Sequence, residues 1–123
     1  MKHDMHGYVL QANLIRAMAH PTRLRILEIL TQGECCVCHL IAILKLRQPC
    51  VSQHLMVLRQ AGLVSVRKEG VQVYYRLVDS RIAVAIALTR DLLRANASTL
   101  SFEPIPSPPI RGCTCPRCVN QLS

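Results

Sequence analysis

The stretch QPCVSQHLMVLRQAGLV, residues 48–64, decides the fold. Val51, Leu55 and Leu58 recur at spacings of four and three, the period of a helix with one apolar stripe, and Gly62 stops it. The predicted helix runs from about residue 49 to 60. Around its apolar positions stand Gln48, Ser52, Gln53 and His54, whose side chains donate and accept hydrogen bonds. Upstream, residues 36–44 (CVCHLIAIL) predict a short helix, and the polar break at 45–48 leaves room only for a tight turn. Two short helices joined in this way make a helix-turn-helix.

On the C-terminal side, residues 63–67 and 71–77 are rich in Val, Tyr and Ser and are separated by Lys68, Glu69 and Gly70, which predicts a two-stranded hairpin, or wing. On the N-terminal side, Leu10, Leu14, Ile15 and Met18 fall at helical spacing until His20 and Pro21 break the run. Pro21 suits the first turn of a new helix, continued by Leu24, Ile26, Leu27 and Leu30 to Gly33. A last helix starts near Ser80. Residues 82–93 are apolar nearly all the way round, so that helix needs more than one neighbour, and a second subunit is the natural one. The fold predicted is mainly α with a small β-hairpin: a winged helix-turn-helix that forms a homodimer.

The domain is expected to end near residue 97. Residues 98–123 then form a Pro-rich linker (Pro104, Pro106, Pro108, Pro109) and a tail carrying Cys113, Cys115 and Cys118, expected to be mobile and without a core to pack into.

With 123 residues there is room for one such domain and its tail, and none for an enzyme-sized second domain. No Gly-rich phosphate loop is present, and Cys38 and His39, as chain neighbours, point apart and make a poor nucleophile–base pair. Phe102, Tyr8, Tyr74 and Tyr75 are the only aromatic residues, so the core must be packed from Leu, Ile, Val and Ala. Fifteen Lys and Arg against seven Asp and Glu give a formal charge of +8. The positive charge gathers in the middle third, where Lys45, Arg47, Arg59, Arg67, Lys68 and Arg76 face the single acid Glu69. A field of this kind attracts polyanions, and double-stranded DNA is the partner the helix-turn-helix implies. No apolar run reaches the roughly 18 residues of a membrane span, and residues 1–7 lack a signal-peptide pattern, so a cytoplasmic protein with no membrane partner is expected. Seven cysteines, six of them in two clusters, point in a reducing compartment to metal or redox chemistry, not to a disulfide scaffold. Cys50, within the predicted recognition helix, reads as structural.

Four segments carry a family resemblance: residues 17–30 (AMAHPTRLRILEIL), 34–40 (ECCVCHL), 48–64 and 67–77 (RKEGVQVYYRL). Together they resemble the ArsR/SmtB family of metal-responsive repressors over roughly residues 13–94. Two positions depart from the family pattern: His39 stands where its cysteine motif usually has Asp, and Arg47 where its recognition helix usually begins with Ser or Thr. The resemblance implies no enzyme activity. It implies DNA reading by Gln48, Ser52, Gln53 and His54 in the major groove, with Arg59, Arg67, Lys68 and Gln72, and flanking Lys45 and Arg47, on phosphates.

A soft ion prefers thiolates. Three suit As(III) or Sb(III), and four suit tetrahedral Zn or Cd, with Pb a further thiophilic ion. By resemblance the family's Cys-Val-Cys pair falls on Cys36 and Cys38, and Ile41 stands where arsenite-responsive members often have a third cysteine. The third donor is then Cys35 or one of Cys113, Cys115 and Cys118. The ligand pair that zinc sensors carry on their last helix is absent, since Asp79 is followed by Arg81 and no His is near. In an ideal helix Cys36 and Cys38 lie about 200° apart, so binding both is expected to unwind the helix start and weaken DNA binding by linkage. Two other readings of the same cysteines are a redox or reactive-sulfur sensor on this fold and a thiol-rich metal buffer.

Overall fold

A computed structural model describes residues 4–97 and 99–119. The chain start at residues 1–3, the linker's first residue 98 and the last residues 120–123 lie outside the described part. The element order is α1 (His6–Met18), α2 (Pro21–Leu30), β1 (Cys35–Cys36), α3 (Val37–Leu44), α4 (Gln48–Gln60), β2 (Val64–Glu69), β3 (Gln72–Leu77), α5 (Arg81–Asn96) and a short α6 (Pro116–Val119).

Local chemistry sets the helix boundaries. Pro21 occupies the first turn of α2, and the His20 ring caps it, its Nδ1 accepting from the Thr22 N–H at 3.0 Å. α3 ends on Lys45, whose φ of 56° places it in the left-handed region, with its N–H donating to the Ile41 carbonyl. That reversal gives the tight turn into α4. α4 begins after Arg47, whose side chain makes no capping hydrogen bond, as expected where Ser or Thr is missing.

One core holds these elements together. Ile26, Leu27 and Leu30 of α2, Leu40 of α3, Val51, Leu55 and Leu58 of α4, Leu63 and Val64, and Ile86 of α5 are all buried in it. The apolar stripe read from residues 48–64 is therefore the face of α4 turned to the core. Glu28 pairs with Arg25 within α2 at 3.4 Å and ties α2 to α5 through an ion pair with Arg90.

β2 and β3 form the predicted antiparallel hairpin, from Val64 opposite Leu77 to Glu69 opposite Gln72, turning at Gly70 with a φ of 61°. The sheet has a third strand that the sequence did not signal. β1 pairs with the other edge of β3, Cys35 opposite Tyr75 and Cys36 opposite Tyr74.

The segment after α5 folds back. Arg25 donates to the carbonyls of Glu103 and Pro104 at 2.7 and 3.0 Å, the Arg90 guanidinium lies 4.0 Å from the Phe102 ring centre, and Ile105 packs on the main core. Residues beyond reach the start of α3, where Ile110, Cys113, Cys115 and Cys118 are buried with Cys36 and Tyr74 in a second cluster. The expectation of a mobile tail with no core to pack into is thus corrected: the thiols themselves supply that core.

Two faces of the single chain stay apolar and exposed. α1 buries only Ala17 and exposes Tyr8, Val9, Leu10, Leu14 and Ile15, while α5 buries only Ile86 and exposes Val84, Leu88, Leu92 and Leu93. Among the described residues no helix is long and apolar enough to cross a membrane.

Candidate thiol centre and nucleic-acid interface

Cys36 sits at the junction of β1 and α3. Its backbone is extended, with φ −78° and ψ 163°, and its sulfur caps α3 by accepting from the His39 N–H at 3.4 Å. Lying outside the helical turn, it is free of the 200° separation expected of two helical positions. The Cys36 and Cys38 sulfurs are 2.6 Å apart, so the pair converges with no unwinding of α3, which corrects that expectation.

The tail brings the remaining donors. The sulfurs of Cys36, Cys38, Cys113 and Cys115 all lie within 4.8 Å of one another, and so do the donor atoms of His39, Cys113, Cys115 and Cys118. Cys113 Sγ is 3.8 Å from Cys38 Sγ, and Arg117 anchors the tail by donating to the Glu34 carbonyl at 2.6 Å. Cys35 belongs to neither group. Its side chain is buried in the main core, its thiol donating to the Gly33 carbonyl at 3.6 Å. Cys50 is exposed on α4, contrary to its reading as structural, and also stands apart.

Burial governs the protonation of these groups. It pushes the Cys35 thiol up to about 11 and raises Cys36, where the hydrogen bond with Cys38 adds to it. Burial raises Cys113 as well. At Cys115 burial works upward, but hydrogen bonds from the Cys113 thiol and the Cys118 N–H outweigh it and hold the group below its ordinary value. His39 is lowered by burial and then by Arg117, a shift toward the neutral imidazole, the form that ligates metals. The raised thiols of Cys36 and Cys113 hold their protons until a cation replaces them, so ion binding there releases protons. The donor set fits a soft cation, with three or four sulfurs in reach of one point.

His39 is the residue the sequence reading passed over as a donor. Its signal was present in the departure from the family's Asp at that position, which exchanges a carboxylate for an imidazole beside two cysteines.

The second face is α4 with the wing. Gln48, Ser52, Gln53 and Arg59 are exposed on α4, with Lys45 and Arg47 exposed just before it, and Lys68 is exposed on the wing near half-buried Gln72. Two of the expected contacts are engaged elsewhere. His54 is half-buried, its ring centre 4.5 Å from that of His20 and its Nδ1 3.3 Å from Arg23 Nη1, and burial with these neighbours lowers its pKa. Arg67 pairs with Glu34 at 2.5 Å and Glu69 at 2.6 Å, and lies over the Tyr74 ring. It fastens the wing to the chain just before β1, so phosphate contact requires it to leave two carboxylates.

A core-anchored helix-turn-helix with a polar outer face and a basic wing defines a DNA-binding transcriptional regulator, not an enzyme. The pattern of the bacterial regulatory protein arsR family matches residues 20–66. An uncharacterized HTH-type transcriptional regulator of Methanocaldococcus jannaschii is 43% identical over 72% of this chain and 100% of its own length. A probable mercury resistance operon repressor of Streptomyces lividans is 37% identical over 72% of this chain and 71% of its own. An arsenic resistance transcriptional regulator of Pseudomonas putida is 39% identical over 72% and 70%. Among solved structures, the homodimeric winged helix-turn-helix domain of a possible ArsR-family regulator from Mycobacterium bovis superposes with a TM-score of 0.71 at 26% identity, covering 85% of this chain and 97% of that one. The chain belongs to the arsR family of bacterial regulatory proteins.

Proposed function

We propose that this protein is a dimeric operator-binding repressor that releases DNA when a thiophilic ion, arsenite or antimonite in the trivalent state, is held by Cys36, Cys38 and a thiolate from Cys113 or Cys115. Cd(II), Pb(II) and Zn(II) are the alternative ions. The observation that carries the reading is the convergence of those four sulfurs within 4.8 Å, joining the start of the helix-turn-helix to the tail. Relatives named for arsenic and for mercury resistance support a soft ion.

The residues suggest how the two events oppose each other. Cys36 is at once the cap of α3 and the partner of Tyr74 in the sheet that carries the wing. A ligand that draws on its sulfur acts on both arms of the DNA-binding unit. If the ligand-bound arrangement fits DNA less well, each partner weakens the other by the same factor. On the DNA side, Gln48, Ser52 and Gln53 read base edges, while Lys45, Arg47, Arg59, Lys68 and Gln72 meet phosphates. The apolar faces of α1 and α5 are covered by a second copy, as befits a symmetric operator, and the homodimeric Mycobacterium bovis domain supports this pairing.

The test is operator release, followed by fluorescence anisotropy, against arsenite, antimonite, cadmium, lead, zinc and mercuric ions. Cys36→Ser and Cys38→Ser are expected to bind operator and to stay bound with arsenite, because a hydroxyl is a poor substitute for a soft thiolate. A normal arsenite response in both variants overturns the reading.

The 2.6 Å approach of Cys36 and Cys38 favours one second reading, oxidation of the pair to a disulfide, with two electrons and two protons passing to an oxidant. Release by arsenite under strict anaerobiosis, with no release by peroxide, decides against it.

A further inference from the structure

We propose that His39, Cys113, Cys115 and Cys118 form a resident zinc site that clasps the tail onto α3, separate in role from the inducer. His39 Nδ1 lies 3.4 Å from Cys118 Sγ, 3.8 Å from Cys113 Sγ and 3.9 Å from Cys115 Sγ. With Zn–S near 2.3 Å and Zn–N near 2.0–2.1 Å, the edges of a zinc tetrahedron are about 3.6–3.8 Å. The three observed edges bracket that value. The Cys36–Cys38 separation of 2.6 Å falls well short of it, so that pair does not fit the same tetrahedron.

Burial sets Cys38 apart as well, although Cys36 is as buried as the four donors. His39, Cys113, Cys115 and Cys118 are all buried, between 0% and 5% exposed, whereas Cys38 is partly open to solvent. Three thiolates and one imidazole complete a four-coordinate shell with no open position, the mark of a structural site. An outer contact is in place too, since the Ile110 N–H donates to Cys118 Sγ at 3.2 Å. Residues 110–119 contain only one four-residue helix and bury little besides Ile110 and the thiols, so a metal is the natural source of their stability.

The site needs neither Cys36 nor Cys38, but it shares Cys113 and Cys115 with the inducer reading, whose third thiolate would then be one that also holds zinc. The test uses the full chain, purified without oxygen, stripped of metal and titrated with Co(II), whose ligand-field and sulfur charge-transfer bands report tetrahedral thiolate coordination. Wild type is expected to take up one tetrahedral cobalt per chain and to exchange it for zinc. Cys118→Ser and His39→Ala are expected to lose the bands. His39→Cys is expected to keep them with an added thiolate contribution, which guards against a loss through misfolding alone. Cys36→Ser and Cys38→Ser are expected to retain the wild-type spectrum. No tetrahedral cobalt in wild type, retention in Cys118→Ser, or loss in Cys36→Ser overturns the site. A cobalt site that behaves as expected in a protein indifferent to arsenite leaves this site standing and removes only the inducer reading.

Discussion

α4 and the tail solve opposite problems. In α4 the residues that hold the helix and the residues proposed to meet DNA are different ones: Val51, Leu55 and Leu58 are buried, while Gln48, Ser52 and Gln53 are outside. In residues 110–119 the two sets coincide, because Cys113, Cys115 and Cys118 are both the packed interior and the candidate ligands. A recognition surface of the first kind can change without disturbing the fold. A site of the second kind cannot.

The largest expected effect tests the first half of this contrast. Leu58→Ala removes a fully buried side chain and should cost about 2–5 kcal/mol in urea denaturation, with operator binding falling in parallel. Gln53→Ala should leave stability within about 0.5 kcal/mol while losing about 1–3 kcal/mol of discrimination between operator and altered sites. Equal stability losses in the two variants break the separation.

For the tail, Cys115→Ser in metal-free protein should both abolish its donor and loosen the segment, since a buried hydroxyl without its partner costs about 1–3 kcal/mol. Hydrogen exchange of amides in 110–119 should accelerate while those of α4 stay protected. Parallel acceleration in α4 would show that tail and domain open as one unit.

Smaller effects sharpen the DNA face. Lys68→Ala should lower the salt slope of operator binding by about one unit. Arg67→Ala should instead lower the melting temperature and leave that slope nearly unchanged, because Glu34 and Glu69 already neutralise it. The smallest effect concerns the start of α5, where the Arg81 side chain and then its N–H hold the Asp79 carboxyl down to about 2 from an ordinary 3.8. A depressed carboxylate stabilises above its unfolded pKa and loses that contribution as pH falls through its folded one. The stability gap between wild type and Asp79→Asn should therefore be constant above pH 5, narrow below about pH 4 and close near pH 2.

The same contrast explains what was legible in the sequence. The stripe of α4, the wing and the breaks at His20–Pro21 and Gly62 are written in neighbouring residues, and periodicity finds them. β1 is two residues long, too short to show an alternation, and it exists because Tyr74 and Tyr75 stand opposite it. The role of Cys36 as a cap follows from that strand. The docking of the tail depends on Arg25 reaching residues 78 and 79 positions away, and on Arg117 reaching Glu34, contacts with no local signature. Cysteine spacing nominated the donors, but only the folded-back chain separates Cys35 from the others and adds His39.

The family pattern covers residues 20–66, whereas three of the five converging thiols lie beyond residue 110. Inheritance can therefore act on the two stretches at different tempos. On the proposed reading, exchange of the segment 110–119 as a whole, donors and packing together, would retune which ion is captured while the residues α4 turns to DNA stay the same, so a lineage can acquire a new chemical signal without rewriting the set of genes that answers to it.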